Sequence, residues 1–207
     1  IAALWVKKGD LAKAQSLPEA MEGQKAAVDS PDYAEAMSGL GRALLAAGET
    51  DKALELYRKA TVLSPDSPAV WLNLGGAYFA LGRYGLAREN FEKSVSLDKS
   101  FALGYSNIGL VYLMKLVEDK RPAVAEEALG YFDKAIALEP RLAVAWNGRA
   151  SVELTMGRAG QAVRGYARAI ELDPDLLDAY INMTIALREQ GRYAEALKSI
   201  DACRDRM

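Results

Sequence analysis

The chemistry open to this chain is narrowed first by what it lacks. Its 207 residues include no histidine and one cysteine, Cys203. A Ser-His-Asp or Cys-His arrangement therefore cannot be built, and the usual general base and metal ligand are missing. The acids Glu126 and Glu127 fall on a solvated helix face, and Gly75-Gly76 has no strand before it to make a phosphate loop. The chain is read as no enzyme, with no cofactor and no metal site. Amides are what remain. Asn73, Asn107 and Asn182 recur at one place of a repeating pattern, with Asn147 one residue away from it. A primary amide both donates and accepts, so it can hold a peptide backbone without regard to the peptide's side chains.

Holding such groups in register requires a regular scaffold, and proline and glycine spacing reveals one. Pro31 to Pro65 and Pro140 to Pro174 are each 34 residues, while Pro65 to Pro140 is 75, two periods plus seven. Gly48 to Gly82 and Gly157 to Gly191 are also 34 residues, and Gly82 to Gly157 is 75. In this frame an apolar or aromatic place reads Met37, Trp71, Tyr105, Trp146, Tyr180, and a small place four residues on reads Gly41, Gly75, Gly109, Ala150, Thr184. Later places read Ala53, Ala87, Ala128, Ala162, Ala196, then Tyr57, Phe91, Phe132, Tyr166, Ile200, then Ala60, Ser94, Ala135, Ala169, Cys203. Spacings of three and four put these residues on one helical face, and a small residue on one helix admits the ring of its neighbour. Each period is a helical hairpin whose first helix ends at a glycine able to take positive φ. Its second helix ends before a proline that cannot continue it. Cys203 thereby reads as a small core residue.

The segment Trp71-Leu72-Asn73-Leu74-Gly75-Gly76-Ala77-Tyr78, followed by Gly82, Tyr84, Ala87, Phe91 and Ser94, resembles the tetratricopeptide repeat almost place for place. The resemblance implies an all-α fold, a right-handed superhelical solenoid of antiparallel helix hairpins. Repeats are expected over 34–67, 68–101, 102–142, 143–176 and 177–207, the last clipped before its closing proline place, with a degenerate hairpin over 1–33. That hairpin carries Pro18 inside its second helix, so a break is expected near Ser16 to Pro18. Lys99 replaces a closing proline, which should loosen that turn. Arg149 and Glu153 take places usually apolar and, four apart, could pair along a helix. The seven extra residues lie between Met114 and Ala125. Seven is close to two helical turns, so both helices of the hairpin can lengthen with their core faces nearly in phase. The first should run to about Val117 and the second begin at Pro122, a favourable first helical residue. A neutral surface protrusion is favoured there over a partner contact.

Composition limits the partners. Lysine and arginine total 26 against 28 acids, with the signs interspersed, so no basic stripe for nucleic acid is present. The apolar stretches are too short to insert directly into a membrane. A folded, soluble protein is expected, cytoplasmic or periplasmic. The chain begins at Ile1 inside an apolar helical pattern, which reads as an excerpt of something longer.

By resemblance to the family, the inner wall of the array is made by the first helix of each repeat. The partner-facing residues implied are Leu72, Asn73, Phe79, Leu103, Asn107, Leu110, Leu113, Met114, Asn147, Leu154, Ile181, Asn182 and Ile185. The partner expected is another protein, presented as an extended peptide or an amphipathic helix. Repeat domains that clamp acidic chaperone tails use basic residues where Ser38, Leu72, Leu103 and Leu110 stand here, so that ligand is disfavoured. Two alternatives stay open. One is self-association through the helix from Tyr193 to Met207, whose Leu197 and Ile200 need cover, giving a possible homo-oligomer; the other is a substrate-recognition arm of a larger enzyme.

Overall fold

A computed structural model describes residues 31–204 and Arg206, with side chains from Tyr33 onward. The expected N-terminal hairpin over 1–33 and its break at Ser16 to Pro18 lie, but for the last residues, outside the described part. The described residues form ten α-helices and no strand: α1 (Pro31–Ala46), α2 (Thr50–Leu63), α3 (Pro68–Ala80), α4 (Tyr84–Leu97), α5 (Ala102–Asp119), α6 (Pro122–Leu138), α7 (Ala143–Thr155), α8 (Ala159–Leu172), α9 (Leu177–Glu189) and α10 (Tyr193–Arg204). They pair successively into hairpins, and the expected all-α fold is what is found. The helices belong to two compact units that divide between Lys99 and Ser100. The division coincides with the lysine that stands in place of a closing proline.

Helix ends follow from local chemistry. Gly48, Gly82, Gly157 and Gly191 all adopt positive φ, between 69° and 81°. Each lets the next amide fold back on the helix: Arg83 N donates to Tyr78 O at 2.9 Å and Arg158 N to Glu153 O at 2.8 Å, closing carbonyls the helix leaves open. The α5–α6 turn has no glycine, and Lys120 takes the left-handed conformation there at φ 51°. Pro68 and Pro122 are the first residues of α3 and α6, where a missing N–H costs nothing.

Bulky rings against small residues hold the hairpins together. A methyl at Gly41 would lie 2.8 Å from the Tyr57 ring, and one at Gly75 would lie 2.6 Å from Phe91. Phe132 is gripped from two sides: a methyl at Gly109 of α5 would stand 3.0 Å away, and one at Gly148 of α7 would overlap the ring outright. The second contact explains a shift noted in the sequence. Position 148 is the asparagine place of its hairpin, but only glycine clears Phe132, and the amide stands at Asn147 instead. Tyr166 is wholly buried with Ala150, Ala162 and Ala186, and its hydroxyl donates to Ser151 Oγ at 3.1 Å.

The seven-residue insertion lengthens both helices of its hairpin. α5 runs to Asp119, two residues beyond the expected Val117, and α6 begins at Pro122 as expected. The hairpin's far end carries core residues of its own, with Leu116, Val124 and Ala125 buried, and just below it the rings of Tyr112 and Tyr131 stack at 5.2 Å. Val117 at the tip stays exposed.

Candidate functional site

The residues expected to face a partner lie on α3, α5, α7 and α9, the first helices of their hairpins, and the two units offer different chemistry.

In the N-terminal unit, Leu72, Asn73 and Phe79 on α3 are all partly exposed. Phe79 is tied down by an edge-tilted contact with Tyr84, their ring centroids 5.2 Å apart. Asn73 opens on a cavity of about 300 Å³ between α1, α3 and the turn joining α2 to α3. Its polar lining is Glu35, Ser38 and Arg42 from α1, Ser64 and Ser67 from the turn, and Asn73, over a floor of alanines and Val70. Two bonds fix that turn: the Trp71 indole Nε1 donates to Pro65 O at 2.7 Å, and Ser94 Oγ donates to Pro68 O at 2.8 Å. Ser38 is 5% exposed, and its hydroxyl has no hydrogen-bond partner among the described residues. Ser106, two periods further on, is likewise buried and unpartnered. Below this region burial pushes the Tyr57 phenol up to about 12, with the nearby Arg42 charge pulling it back.

In the C-terminal unit, Leu103, Asn107, Leu110 and Met114 on α5 are partly exposed, whereas Leu113 is 6% exposed. α5 buries residues around most of its circumference, and Leu113 is packed with them rather than offered at the surface. On α7 and α9 the amides meet: Asn182 Nδ2 donates to Asn147 Oδ1 at 3.3 Å. This bond bridges the two helices and leaves Asn147 Nδ2 as a donor and Asn182 Oδ1 as an acceptor, the complement of a peptide group. Apolar neighbours flank the pair by helical spacing. Ile181 is 52% exposed, Ile185 is partly exposed one turn on, and Leu154 packs partly against the Tyr166 cluster.

The Arg149–Glu153 pair expected from spacing forms at 3.6 Å but belongs to a larger network. Glu153 is buried at 4% exposure and also meets Arg158 at 3.1 Å, while Arg149 meets Asp133 at 2.7 Å. Sequence spacing misses Arg158 because it lies beyond the end of α7, and Asp133 because it comes from another hairpin. Among the described residues no group of three or more His, Cys, Asp or Glu side chains could hold a metal ion, and no helix is long and apolar enough to cross a membrane.

Comparison with known proteins agrees with this architecture. Family models described as TPR repeat match residues 41–82 and 75–115, and one described as tetratricopeptide repeat matches residues 166–198. The chain is 36% identical over 75 residues to the STIP1 homolog of Dictyostelium discoideum, a match covering 36% of this chain and 13% of that protein. It is 31% identical over 94 residues to a TPR repeat-containing protein of Rhizobium etli, covering 45% of this chain and 44% of that protein. The chain thus spans less than half the length of either curated relative. The crystal structure of a tetratricopeptide repeat protein from Parabacteroides merdae superposes with a TM-score of 0.72 at 22% identity, over 97% of this chain and 75% of that one, a likeness of fold. With ten helices in tandem hairpins, ring-on-glycine packing at the repeat places and family matches over about half its length, the chain belongs to the tetratricopeptide repeat family.

Proposed function

We propose that this chain is a protein-interaction scaffold whose first-helix faces hold an extended or helical segment of another protein. The family's fold supports interaction scaffolds in general, and its members are generally without catalysis. The observation that carries the finer reading is the Asn147–Asn182 bridge. It leaves one amide donor and one amide acceptor unused on two partly exposed residues next to the exposed Ile181, so a passing backbone can be held by the amides while an apolar side chain covers the isoleucine. The test is a displayed library of random twelve-residue peptides. Binders selected on the native chain should weaken about tenfold or more with Ile181→Glu combined with Asn182→Ala, at unchanged helicity. Ile181→Glu alone, at an exposed site, should move stability by no more than about 0.5 kcal/mol. Binders indifferent to both changes would remove the α7–α9 face from consideration.

A second reading, self-association, is favoured by α10. Tyr193, Leu197 and Ile200 lie along one side of it and are 65%, 63% and 50% exposed. One period earlier, Val163 and Tyr166 occupy the places of Leu197 and Ile200 and are covered by packing within the unit. Light scattering over a hundredfold range of concentration, with Leu197→Lys as control, tests it; a constant monomer mass ends this reading and leaves the first intact.

A further inference from the structure

The outer face of α10 has an order that a chance apolar surface lacks. Tyr193, Leu197, Ile200 and Arg204 follow one another at spacings of four, three and four, which places them within about 60° of arc along one side of the helix. All four are exposed. Further round the helix Ala196 and Ser199 are buried, and Ser199 Oγ donates to Tyr180 O of α9 at 3.1 Å, so α10 is held with the stripe outward. One period earlier the same four places on α8 read Ala159, Val163, Tyr166 and Ile170, partly or wholly buried, with α9 packed on that helix. On α10 the fourth place carries a guanidinium instead, its side chain 71% exposed and paired along the helix with Asp201 at 3.2 Å. An apolar helix laid on α10 as α9 lies on α8 would strip water from that charge with nothing to replace it.

We propose that the occupant of this face is the α10 of a second copy, running antiparallel about a two-fold axis. This rests on the self-association reading and gives it an arrangement. The stripe is symmetric about the point midway between Lys198 and Ser199, with Leu197 and Ile200 equidistant from it and Tyr193 and Arg204 equidistant further out. A two-fold axis through that point sets Leu197 against the second copy's Ile200 and lays each Arg204 over the other copy's Tyr193 ring. The guanidinium then lies flat on an aromatic face at the rim, where water and Asp201 still reach it. A parallel pair would instead set Arg204 against Arg204. The contact is one strip of helix about 18 Å long, so it buries less than the roughly 1,200 Å² of stable interfaces, and the dimer is weak and reversible.

Sedimentation equilibrium of the full chain from micromolar to millimolar concentration reads the dimerisation constant. Leu197→Lys should abolish the dimer. Arg204→Ala should weaken it by about five- to thirtyfold, because symmetry removes two exposed cation–aromatic contacts at once, and Tyr193→Ala should weaken it at least as much. The two combined should cost less than the product of the single effects. Tyr193→Arg sets arginine against arginine and should weaken the dimer further still, whereas Tyr193→Arg combined with Arg204→Tyr restores the pairing and should restore the dimer. These exposed positions should leave helicity and the urea midpoint nearly unchanged through the series. A dimer that Leu197→Lys abolishes but that the Tyr193–Arg204 exchange does not restore overturns the antiparallel arrangement and leaves self-association standing. A chain that stays monomeric at millimolar concentration, or a dimer untouched by Leu197→Lys, overturns both.

Discussion

Replacing glycine by alanine at two helical positions of the C-terminal unit should move stability in opposite directions. At Gly130, on the exposed side of α6, a methyl would meet nothing within 4 Å, so only helix propensity acts and Gly130→Ala should stabilise by about 0.5–1 kcal/mol. At Gly148 the same propensity gain of about 1 kcal/mol is set against overlap with the Phe132 ring. Phe132 is 0% exposed and has Gly109 on its other side, so it cannot slide away without driving into α5. Overpacking of this kind costs about 1–3 kcal/mol, and the blocked retreat places it at the upper end, for a net loss of about 2 kcal/mol in Gly148→Ala. Urea denaturation followed by helical ellipticity and by Trp146 fluorescence reads both variants, with unchanged slope indicating that stability alone has moved. Adding Phe132→Leu to Gly148→Ala should cost less than the sum of the two single changes, since the smaller side chain vacates the contested space. If Gly130→Ala and Gly148→Ala shift the midpoint in the same direction, the claim that ring-on-glycine contact sets helix spacing is wrong.

Other expectations follow from single contacts. Burial pushes the phenols of Tyr57 and Tyr166 up to about 12, so above pH 10 the unfolded chain loses these protons first. Their contribution is therefore fully present below pH ~10 and is lost as pH rises toward 12, and the urea midpoint should fall across that window less steeply in Tyr166→Phe. A midpoint equally steep in the variant would sink the assignment. Arg158→Ala leaves the buried Glu153 with only the longer contact to Arg149 and should destabilise by about 1–3 kcal/mol, whereas Glu153→Met should be nearly neutral by calorimetry. Lys120→Gly should raise stability by up to about 1 kcal/mol because glycine takes positive φ without strain; a loss would mean that the lysine side chain holds the α5–α6 turn in some other way.

What the amino-acid sequence determines here is what is local and periodic. The left-handed turns at Gly48, Gly82, Gly157 and Gly191, the start of α6 at Pro122 and the lengthening of α5 to 18 residues and of α6 to 17 depend on backbone preferences within a few residues. Those preferences act before any tertiary contact forms, and a 34-residue period written in proline and glycine is therefore readable from the chain. The ring and small places are legible for a related reason, since their alternation recurs in every hairpin.

The candidate sites were legible only as lists of helix faces. Asn147 and Asn182, 35 residues apart, become a single bridge because α7 and α9 bring their side chains within 3.3 Å. Leu113 shares its helix with partly exposed Leu110 and Met114 yet is buried, and α5's contacts around most of its circumference decide that. Glu153 finds Arg158 across a helix end where no three- or four-residue rule applies. The cavity is likewise an outcome of assembly: Glu35, Ser38 and Arg42 share a face of α1, and they line a hollow only because α3 and the turn held by Trp71 close the other side. Helical spacing tells which residues share a face, but what a face meets depends on the packing of whole helices, and only the tertiary structure carries that information.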